Sequence, residues 1–134
     1  KDTLTNLQTT RECVVNVVSH VLVDAMNTSC GDFPPEVDEF EKAGLKKSLS
    51  KAVAAPGVEE ALVRFECNLR EVKLVGEGPM GGSMMLLDVL GVEVSEAAMR
   101  EGRIANDLLD AVGKLTGDGY CTTRSNFDLA RPKV

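Results

Sequence analysis

The sequence predicts a mainly β fold in one domain, a small antiparallel barrel with short helical insertions. Three observations predict it: a β-branched run at residues 12–19, an alternating segment at 63–75, and a second long β-rich segment at 83–95 that follows a glycine-rich turn. The chain has 134 residues, which suits a single hydrophobic core. We therefore treat residues 1–134 as one domain.

The first elements are predicted to be short helices around one strand. Asp2 or Thr3 can cap a helix over residues 4–10, because either side-chain oxygen can accept a hydrogen bond from a first-turn amide. Residues 12–19 predict a strand buried on both sides, with Asn16 as its polar exception. Ser19 is then predicted to cap a second helix that ends near Asn27.

The middle of the chain is rich in helix breakers. The segment GDFPP at residues 31–35 ends the second helix, and residues 36–42 predict a helical turn or two ending at Gly44. Phe40 lies at a spacing that favours simple core packing. Residues 45–56 show no period and predict a loop with at most one short strand.

The clearest period is in residues 63–75, where apolar and polar side chains alternate. One face should lie in the core and the other, which includes Glu66, in water. The apolar phase shifts near Arg70 and Glu71, which predicts a β-bulge in an antiparallel hairpin with residues 83–95. Gly91 predicts a bend or a close approach of another backbone. Asn106 is predicted to cap a last helix to residue 115, before an extended tail at 116–134.

Composition excludes several classes of function. The formal net charge is -6 and the basic residues are scattered, so the electrostatic footprint of a nucleic-acid-binding protein is missing. No apolar run approaches the roughly 20 residues of a transmembrane helix, which favours a soluble, cytoplasmic protein. Neither metal-ligand spacing nor a G-x-S-x-G nucleophile motif occurs, and the sequence assigns no catalytic side chain.

Four cysteines and one histidine are the remaining reactive side chains. Cys13, Cys30, Cys67 and Cys121 are widely separated, which favours reduced and mostly buried thiols over two disulfides in a secreted protein. His20 stands at a strand-to-helix junction, where a solvated or capping role is commoner than catalysis. The glycines of GEGPMGG at 76–82 do not open a helix and are interpreted as a hairpin turn, not as a phosphate-binding loop.

Five motifs in order resemble one known family over essentially the whole chain. They are KDTLTNL at 1–7, ECVVNVVS at 12–19, GDFPPEVDEFEKAGL at 31–45, LVRFECNLREV at 62–72 and LTGDGYCTTRSNFDLARP at 115–132. In that order they resemble the flavin reductase-like FMN-binding split-barrel proteins. The resemblance implies an antiparallel split β-barrel of Greek-key type with short helical insertions. It also implies FMN as cofactor, NADH or NADPH as co-substrate, a homodimer, and an earlier N-terminal segment that is missing from these residues.

The resemblance also implies where the cofactor lies. Lys1, Asp2 and Thr3 match the family's motif at the flavin phosphate, and a cation, a hydroxyl and free helix amides favour a dianion. Asp2 would cap the helix or orient Lys1; the alternative for this segment is an ordinary capped surface helix. By the same resemblance, Phe33 and Phe40 lie in the insertion that helps cover the flavin edge, although core packing is the favoured role of Phe40.

Two further residues are candidate flavin contacts with a structural alternative. Asn16 could donate to the flavin, although satisfying a neighbouring barrel carbonyl is the favoured role. Tyr120 could border the flavin or a dimer contact, or staple the tail to the barrel.

The function that this resemblance implies is an FMN-dependent NAD(P)H oxidoreductase that passes hydride through FMN to a small acceptor. Departures from the family's pattern at Ala61, Leu62, Asp88 and Ala130 leave the identity of donor and acceptor open. A flavin-binding carrier without a nicotinamide site is the alternative. A third possibility is an interaction or structural remnant that has lost its pocket.

Overall fold

The computed structural model describes residues 2–78 and 81–133 of the chain. Its helices are α1 (Asp2–Thr10), α2 (Val23–Thr28), α3 (Glu39–Lys42) and α4 (Asn106–Leu109), with 3-10 turns at His20–Leu22 and Glu96–Ala98. Its strands are β1 (Glu12–Asn16), β2 (Lys47–Ser48), β3 (Gly57–Val58), β4 (Val63–Val75), β5 (Gly82–Val94), β6 (Met99–Arg100), β7 (Arg103–Ile104), β8 (Val112–Lys114) and β9 (Tyr120–Thr122). The mainly β prediction is confirmed.

The central element is an antiparallel sheet in the order β1-β4-β5, accompanied by three two-stranded sheets, β2-β3, β6-β7 and β8-β9. The long β4-β5 hairpin is confirmed, and so is its bulge: Leu69 pairs with Leu87 and Glu71 with Leu86, which leaves Arg70 as the extra residue. A second register shift leaves Leu90 of β5 unpaired. Gly91 lies beside this shift, and a Cβ there would meet no atom within 4 Å, so the predicted close approach of another backbone does not occur among the described residues.

The alternation of β4 is only partly confirmed. Val63, Cys67 and Leu69 are buried on one face, as predicted. Glu66, predicted to face water, is also buried at 5% exposure. The reason is that residues 51–54 cross the face of the sheet on which Glu66 lies. Their backbone amides donate hydrogen bonds to carboxylates of the sheet. Sequence alternation could not show this cover because the covering loop has no apolar period of its own.

Strand β1 is shorter and less buried than predicted. It ends at Asn16, and Val15 is 42% exposed. Val15 lies opposite Phe65, which lies opposite Val92, and in the next row Cys13 lies opposite Cys67, which lies opposite Val89. Opposite residues point to the same side of a sheet, so these six side chains lie on one apolar side of it. Cys67 at its centre is buried, whereas Val15, Val89 and Val92 at its margins are exposed, and we name this side the open face.

Several helix boundaries differ from the predictions. The hydroxyl of Ser19 caps nothing, and the segment after it begins as a 3-10 turn. Helix α3 begins at Glu39, where the Asp38 carboxylate accepts a hydrogen bond of 2.9 Å from the Phe40 amide. Gly44 does end this helical region, with a φ of 67°.

The last predicted helix is replaced after one turn by a strand. Helix α4 covers only Asn106–Leu109, and Ala105 occupies the N-cap position predicted for Asn106. Asp110 adopts a left-handed conformation, and the chain then pairs with residues 18–20. The Val112 amide donates to the Val18 carbonyl at 2.8 Å. This long-range pairing overrides local helix propensity.

The cysteine prediction holds in part. Cys13, Cys67 and Cys121 carry free thiols, but Cys30 and Cys121 are exposed, so "mostly buried" is wrong for these two. Only Cys67 is fully buried, at 1% exposure. Within residues 2–78 and 81–133, no helix is long and apolar enough to cross a membrane.

Candidate functional site

A groove of about 870 Å³ runs between α1, the loop before α3, and strand β2. Its volume lies within the range of about 300–1,000 Å³ typical of small-molecule and cofactor sites. The residues that line it are Asp2, Thr3, Thr5, Asn6, Ser29, Gly31, Asp32, Phe33, Pro34, Pro35, Glu36, Val37, Asp38, Glu39, Phe40, Lys47 and Pro56. Three of the predicted cofactor residues, Asp2, Thr3 and Phe33, are therefore brought together.

One end of the groove is formed by the first turns of α1. Leu7 is buried and anchors the helix, whereas Thr3, Thr5 and Asn6 are exposed and line the groove. These side chains offer hydroxyl and amide donors, and the first-turn backbone amides of a helix lack intrahelical partners. This end can therefore donate several hydrogen bonds to an anionic group.

One wall of the groove combines an aromatic ring with two prolines. Phe33 is half-buried and precedes Pro34 and Pro35, which are exposed. Gly31 makes room for the ring, because a Cβ at position 31 would lie 2.8 Å from Phe33 Cε2. Such a wall presents a flat apolar surface without polar groups that need hydrogen bonds.

The opposite end of the groove is acidic and contains one basic side chain. The Lys47 ammonium forms an ion pair with Asp38 and lies 5.3 Å from the centroid of the Phe40 ring. The hydrogen bond from Lys47 holds the pKa of the Asp38 carboxyl below its ordinary value. Phe40 is half-buried and lines the groove, so core packing describes its position only in part.

Carboxylates outnumber cations along the described groove lining. Five acidic residues line it, namely Asp2, Asp32, Glu36, Asp38 and Glu39, against Lys47 alone. Since Lys47 is already paired with Asp38, the α3 end disfavours a polyanion. The α1 end, with its uncharged donors, is the better place for a phosphate.

Asn16 lies outside this groove and is satisfied by the backbone. Its Oδ1 accepts from the Val58 amide at 2.9 Å, and its Nδ2 donates to the Val14 carbonyl at 3.2 Å. It borders a smaller cavity of about 170 Å³ with a largely apolar lining, and Ser29 lines both spaces. The favoured structural role of Asn16 is thus the one its hydrogen bonds perform in this structure.

The remaining candidates are not brought to the groove. Tyr120 is on β9, where Lys114 Nζ lies 4.7 Å from the centroid of its ring, and it lines neither cavity. His20 is exposed at the start of its 3-10 turn and is not part of the groove lining. Lys1 lies outside the described residues.

Sequence reasoning missed Thr5 and Asn6, and at the α3 end it missed Lys47 and Asp38. Thr5 and Asn6 had a usable signal, because they lie on the polar side of the helix whose other side carries Leu4 and Leu7. Lys47 had none, since it lies on a two-residue strand that no period marks. In residues 2–78 and 81–133, no group of three or more metal-ligating side chains converges.

Comparison with known proteins gives a consistent picture. The sequence family described as a flavin reductase like domain matches residues 1–117. A protein of Halalkalibacterium halodurans is 34% identical over the whole chain and 65% of its own length. The crystal structure of nitrilotriacetate monooxygenase component B from Bacillus cereus has a TM-score of 0.85 at 30% identity, covering 96% of this chain and 65% of that one.

Two further structures agree in fold. Pseudomonas fluorescens 2-nitrobenzoate 2-nitroreductase has a TM-score of 0.84 at 26% identity, covering 98% of this chain and 64% of that one. Flavoredoxin of Desulfovibrio vulgaris has a TM-score of 0.78 at 20% identity, covering 96% of this chain and 67% of that one, and shows the fold alone.

The fold is that of the flavin reductase-like split-barrel proteins. The chain belongs to the flavin reductase-like family. It spans about two thirds or less of the length of the curated relatives it matches, with 65%, 35% and 58% of three of them covered.

Proposed function

We propose that this chain holds FMN in the groove, with the phosphate at the start of α1, and acts as a flavin reductase-type oxidoreductase. The observation that carries the proposal is the convergence of Asp2, Thr3 and Phe33 on one groove in a chain of this family. NADH or NADPH is the proposed hydride donor and a small molecule the proposed acceptor.

The phosphate is proposed to bind Thr3 and the first-turn amides of α1, with Lys1 as its counter-charge. A dianion gains from the partial positive charge of a helix N-terminus and from hydroxyl donors. Asp2 opposes this as a bare charge, so we assign it to orienting Lys1 or the helix start. The acidic α3 end supports this orientation over the opposite one, because its carboxylates disfavour a phosphate.

The flavin ring is proposed to lie against Phe33 and the neighbouring prolines. When bound, FMN supplies the hydride and electron transfer itself, so the protein needs no nucleophile. The task of the groove residues is to orient the ring and exclude water from one side of it. Asn16 and Tyr120 remain proposed flavin contacts that this groove does not include.

A carrier without a nicotinamide site is the second candidate, and the charge of the groove favours it. The donor NADH or NADPH carries a negatively charged pyrophosphate. The described lining outside the α1 end has four carboxylates for one paired lysine, and this charge disfavours the binding of such a donor. The two candidates differ in one measurement. The FMN-loaded oxidoreductase consumes NADH or NADPH at a rate proportional to protein, whereas the carrier binds FMN and leaves both unchanged.

We also propose that the protein is a homodimer. The open face exposes Val15 to 42%, Val89 to 55% and Val92 to 55%, and apolar surface of this kind marks an interaction site. A second copy supplies an apolar surface of the same chemistry.

The site is tested by Thr3→Ala, measured as FMN affinity by quenching of flavin fluorescence. A hydrogen bond to a charged group contributes about 1.5–3 kcal/mol, so we expect at least about a tenfold loss of affinity. Thr9→Ala is the matched control: it makes the same change on the same helix, where the hydroxyl bonds the Thr5 carbonyl at 2.8 Å. Lys1→Met should add to the loss. Equal affinity of the Thr3 and Thr9 variants would overturn the placement of the phosphate.

A further inference from the structure

Cys13 and Cys67 form a pair of thiols on the open face. They occupy directly opposite positions of neighbouring antiparallel strands, Cys13 on β1 and Cys67 on β4. Neither is in a disulfide, and Cys67 Sγ donates only a weak 3.5 Å hydrogen bond to the Phe65 carbonyl. Directly opposite side chains project to the same side of the sheet, so the two cysteine side chains are neighbours across a single strand spacing.

The type of strand pairing sets the distance between the two backbones. The Leu69 amide donates to the Arg11 carbonyl at 2.8 Å and the Val17 amide to the Val63 carbonyl at 2.9 Å. Hydrogen-bonded and non-hydrogen-bonded pairs alternate along an antiparallel ladder. Cys13 and Cys67 lie two residues from the Arg11/Leu69 pair, so they are also a hydrogen-bonded pair, with a Cα separation of about 5.5 Å. That value lies inside the range of about 4.4–6.8 Å found for disulfides.

We propose that Cys13 and Cys67 are a redox-responsive dithiol that hydrogen peroxide converts to a cross-strand disulfide. Cβ atoms of opposite residues lie about 4.5–5.5 Å apart, whereas a disulfide needs about 3.5–4.5 Å. The wider value applies to a hydrogen-bonded pair, so closure requires the two Cβ atoms to approach by about 1–2 Å. The adjacent register shift between Glu66 and Cys67 is a place where the β4-β5 pairing is already irregular.

The chemistry needs no group other than the peroxide. The Cys13 thiolate attacks one peroxide oxygen, the O–O bond breaks, and the sulfur becomes a sulfenic acid. The other oxygen leaves as hydroxide, which takes up the proton that the thiol released and becomes water. The Cys67 thiolate then attacks the Cys13 sulfur, forming the S–S bond and releasing a second water. Two thiols lose two electrons and one peroxide gains them. Cys13 reacts first because it is half-buried, whereas Cys67 is 1% exposed.

Burial sets the pH dependence of this step. Desolvation raises the pKa of both thiols, and the nearby Cys67 raises that of Cys13 further. The reactive thiolate is therefore scarce at neutral pH and increases as pH rises. Oxidation should be slow at pH 7 and faster at pH 9, so the pair responds to sustained oxidant.

The experiment uses the full chain with Cys30→Ser and Cys121→Ser, so that only Cys13 and Cys67 can react. After exposure to hydrogen peroxide at pH 9 we expect both thiols to be lost, the intact mass to fall by the two hydrogens of one disulfide, and dithiothreitol to restore both. Trypsin cleaves after Arg11, Lys42, Arg64 and Arg70, so non-reducing digestion should join peptides 12–42 and 65–70.

Adding Cys13→Ser to the same background is the control, and it should abolish the joined peptide. Unmodified chain at pH 9 gives the same joined peptide without relying on any substitution, and digestion with an Asp-specific protease, which cuts at Asp24, then separates Cys13 from Cys30. The inference is overturned if peroxide leaves both thiols titratable, if it yields sulfinic acids without a joined peptide, or if the only disulfides link two chains. None of these measurements requires bound flavin, so they are independent of the proposed cofactor site.

Discussion

Glu66 has a buried carboxylate in the middle of β4, on the side of the sheet opposite the open face. Its oxygens accept hydrogen bonds from the Lys51 amide at 3.0 Å and from the Ala52 amide. Glu12 of β1 acts in parallel and accepts from the Ala54 amide at 2.7 Å. Two carboxylates thus tie residues 51–54 to the sheet, and this loop leads directly to Pro56 of the groove.

The Glu66 contacts predict an acid-sensitive loop. Hydrogen bonds from the Lys51 and Ala52 amides lower the pKa of the Glu66 carboxyl from its ordinary value of 4.5. A lowered pKa in the folded state means that the carboxylate stabilises the fold above pH 4.5 and loses this contribution as pH falls through its lowered value. Glu66→Gln should lower the unfolding temperature at pH 7, and the gap to the unmodified protein should shrink as pH falls below 4.5.

Glu59→Gln is the matched control for this experiment, since Glu59 is exposed and the chemical change is the same. Thermal unfolding followed by circular dichroism from pH 3 to pH 8 measures both variants. A Glu66 variant that unfolds at the same temperature as the Glu59 variant at pH 7 would show that the carboxylate does not hold the loop.

At the scale of elements, sequence reasoning succeeded where a local pattern determines the structure. The β4-β5 hairpin and its bulge at Arg70 followed from an alternation whose phase slips at one position. It failed where a distant segment decides: residues 110–112 leave the helix to pair with 18–20, and Glu66 is covered by a loop. In the groove, the α1 end could be predicted from a helix start, whereas Lys47 reaches the α3 end through tertiary structure alone.

The β8-β9 hairpin depends on a lysine that caps its turn. Lys114 Nζ donates to the Leu115 carbonyl at 3.1 Å and to the Gly117 carbonyl, and it lies 4.7 Å from the centroid of the Tyr120 ring. Lys114→Met keeps the apolar stem and removes the charged donors. Each such bond contributes about 1 kcal/mol, so the loss of both should let the hairpin open about thirtyfold more readily.

Amide hydrogen exchange measures this opening residue by residue. The Leu115 amide, which donates to the Gly119 carbonyl at 2.9 Å, reports on the turn directly. Lys46→Met, a change of the same kind at an exposed position far along the chain, should leave its exchange rate unaltered. Unchanged exchange at Leu115 in the Lys114 variant would contradict the capping role.

At the scale of the whole molecule, the open face is the largest departure from a self-sufficient core. Its rows run from β1 across β4 to β5, and the three valines at its edges are between 42% and 55% exposed. Strand β5 is also the edge of its sheet, so its outer backbone groups have no neighbouring strand among the described residues. An apolar face beside an unpaired edge favours association with another surface over exposure to water.

The proposed homodimer predicts that one charge on this face separates the copies. Val92→Lys places an ammonium where the dimer would exclude water, and burying an unpaired charge costs several kcal/mol, so the sedimentation coefficient should fall to that of a monomer. Val21→Lys makes the same change at a residue that is 84% exposed on the 3-10 turn, outside the open face, and should leave the dimer intact.

Because Val92 lies opposite Phe65 and not in the groove, FMN affinity per chain should stay within about twofold if the groove binds cofactor within one copy. A Val92 variant that sediments like the unmodified protein would remove the open face as the contact surface, and a parallel loss of FMN affinity would instead place part of the cofactor site across two copies.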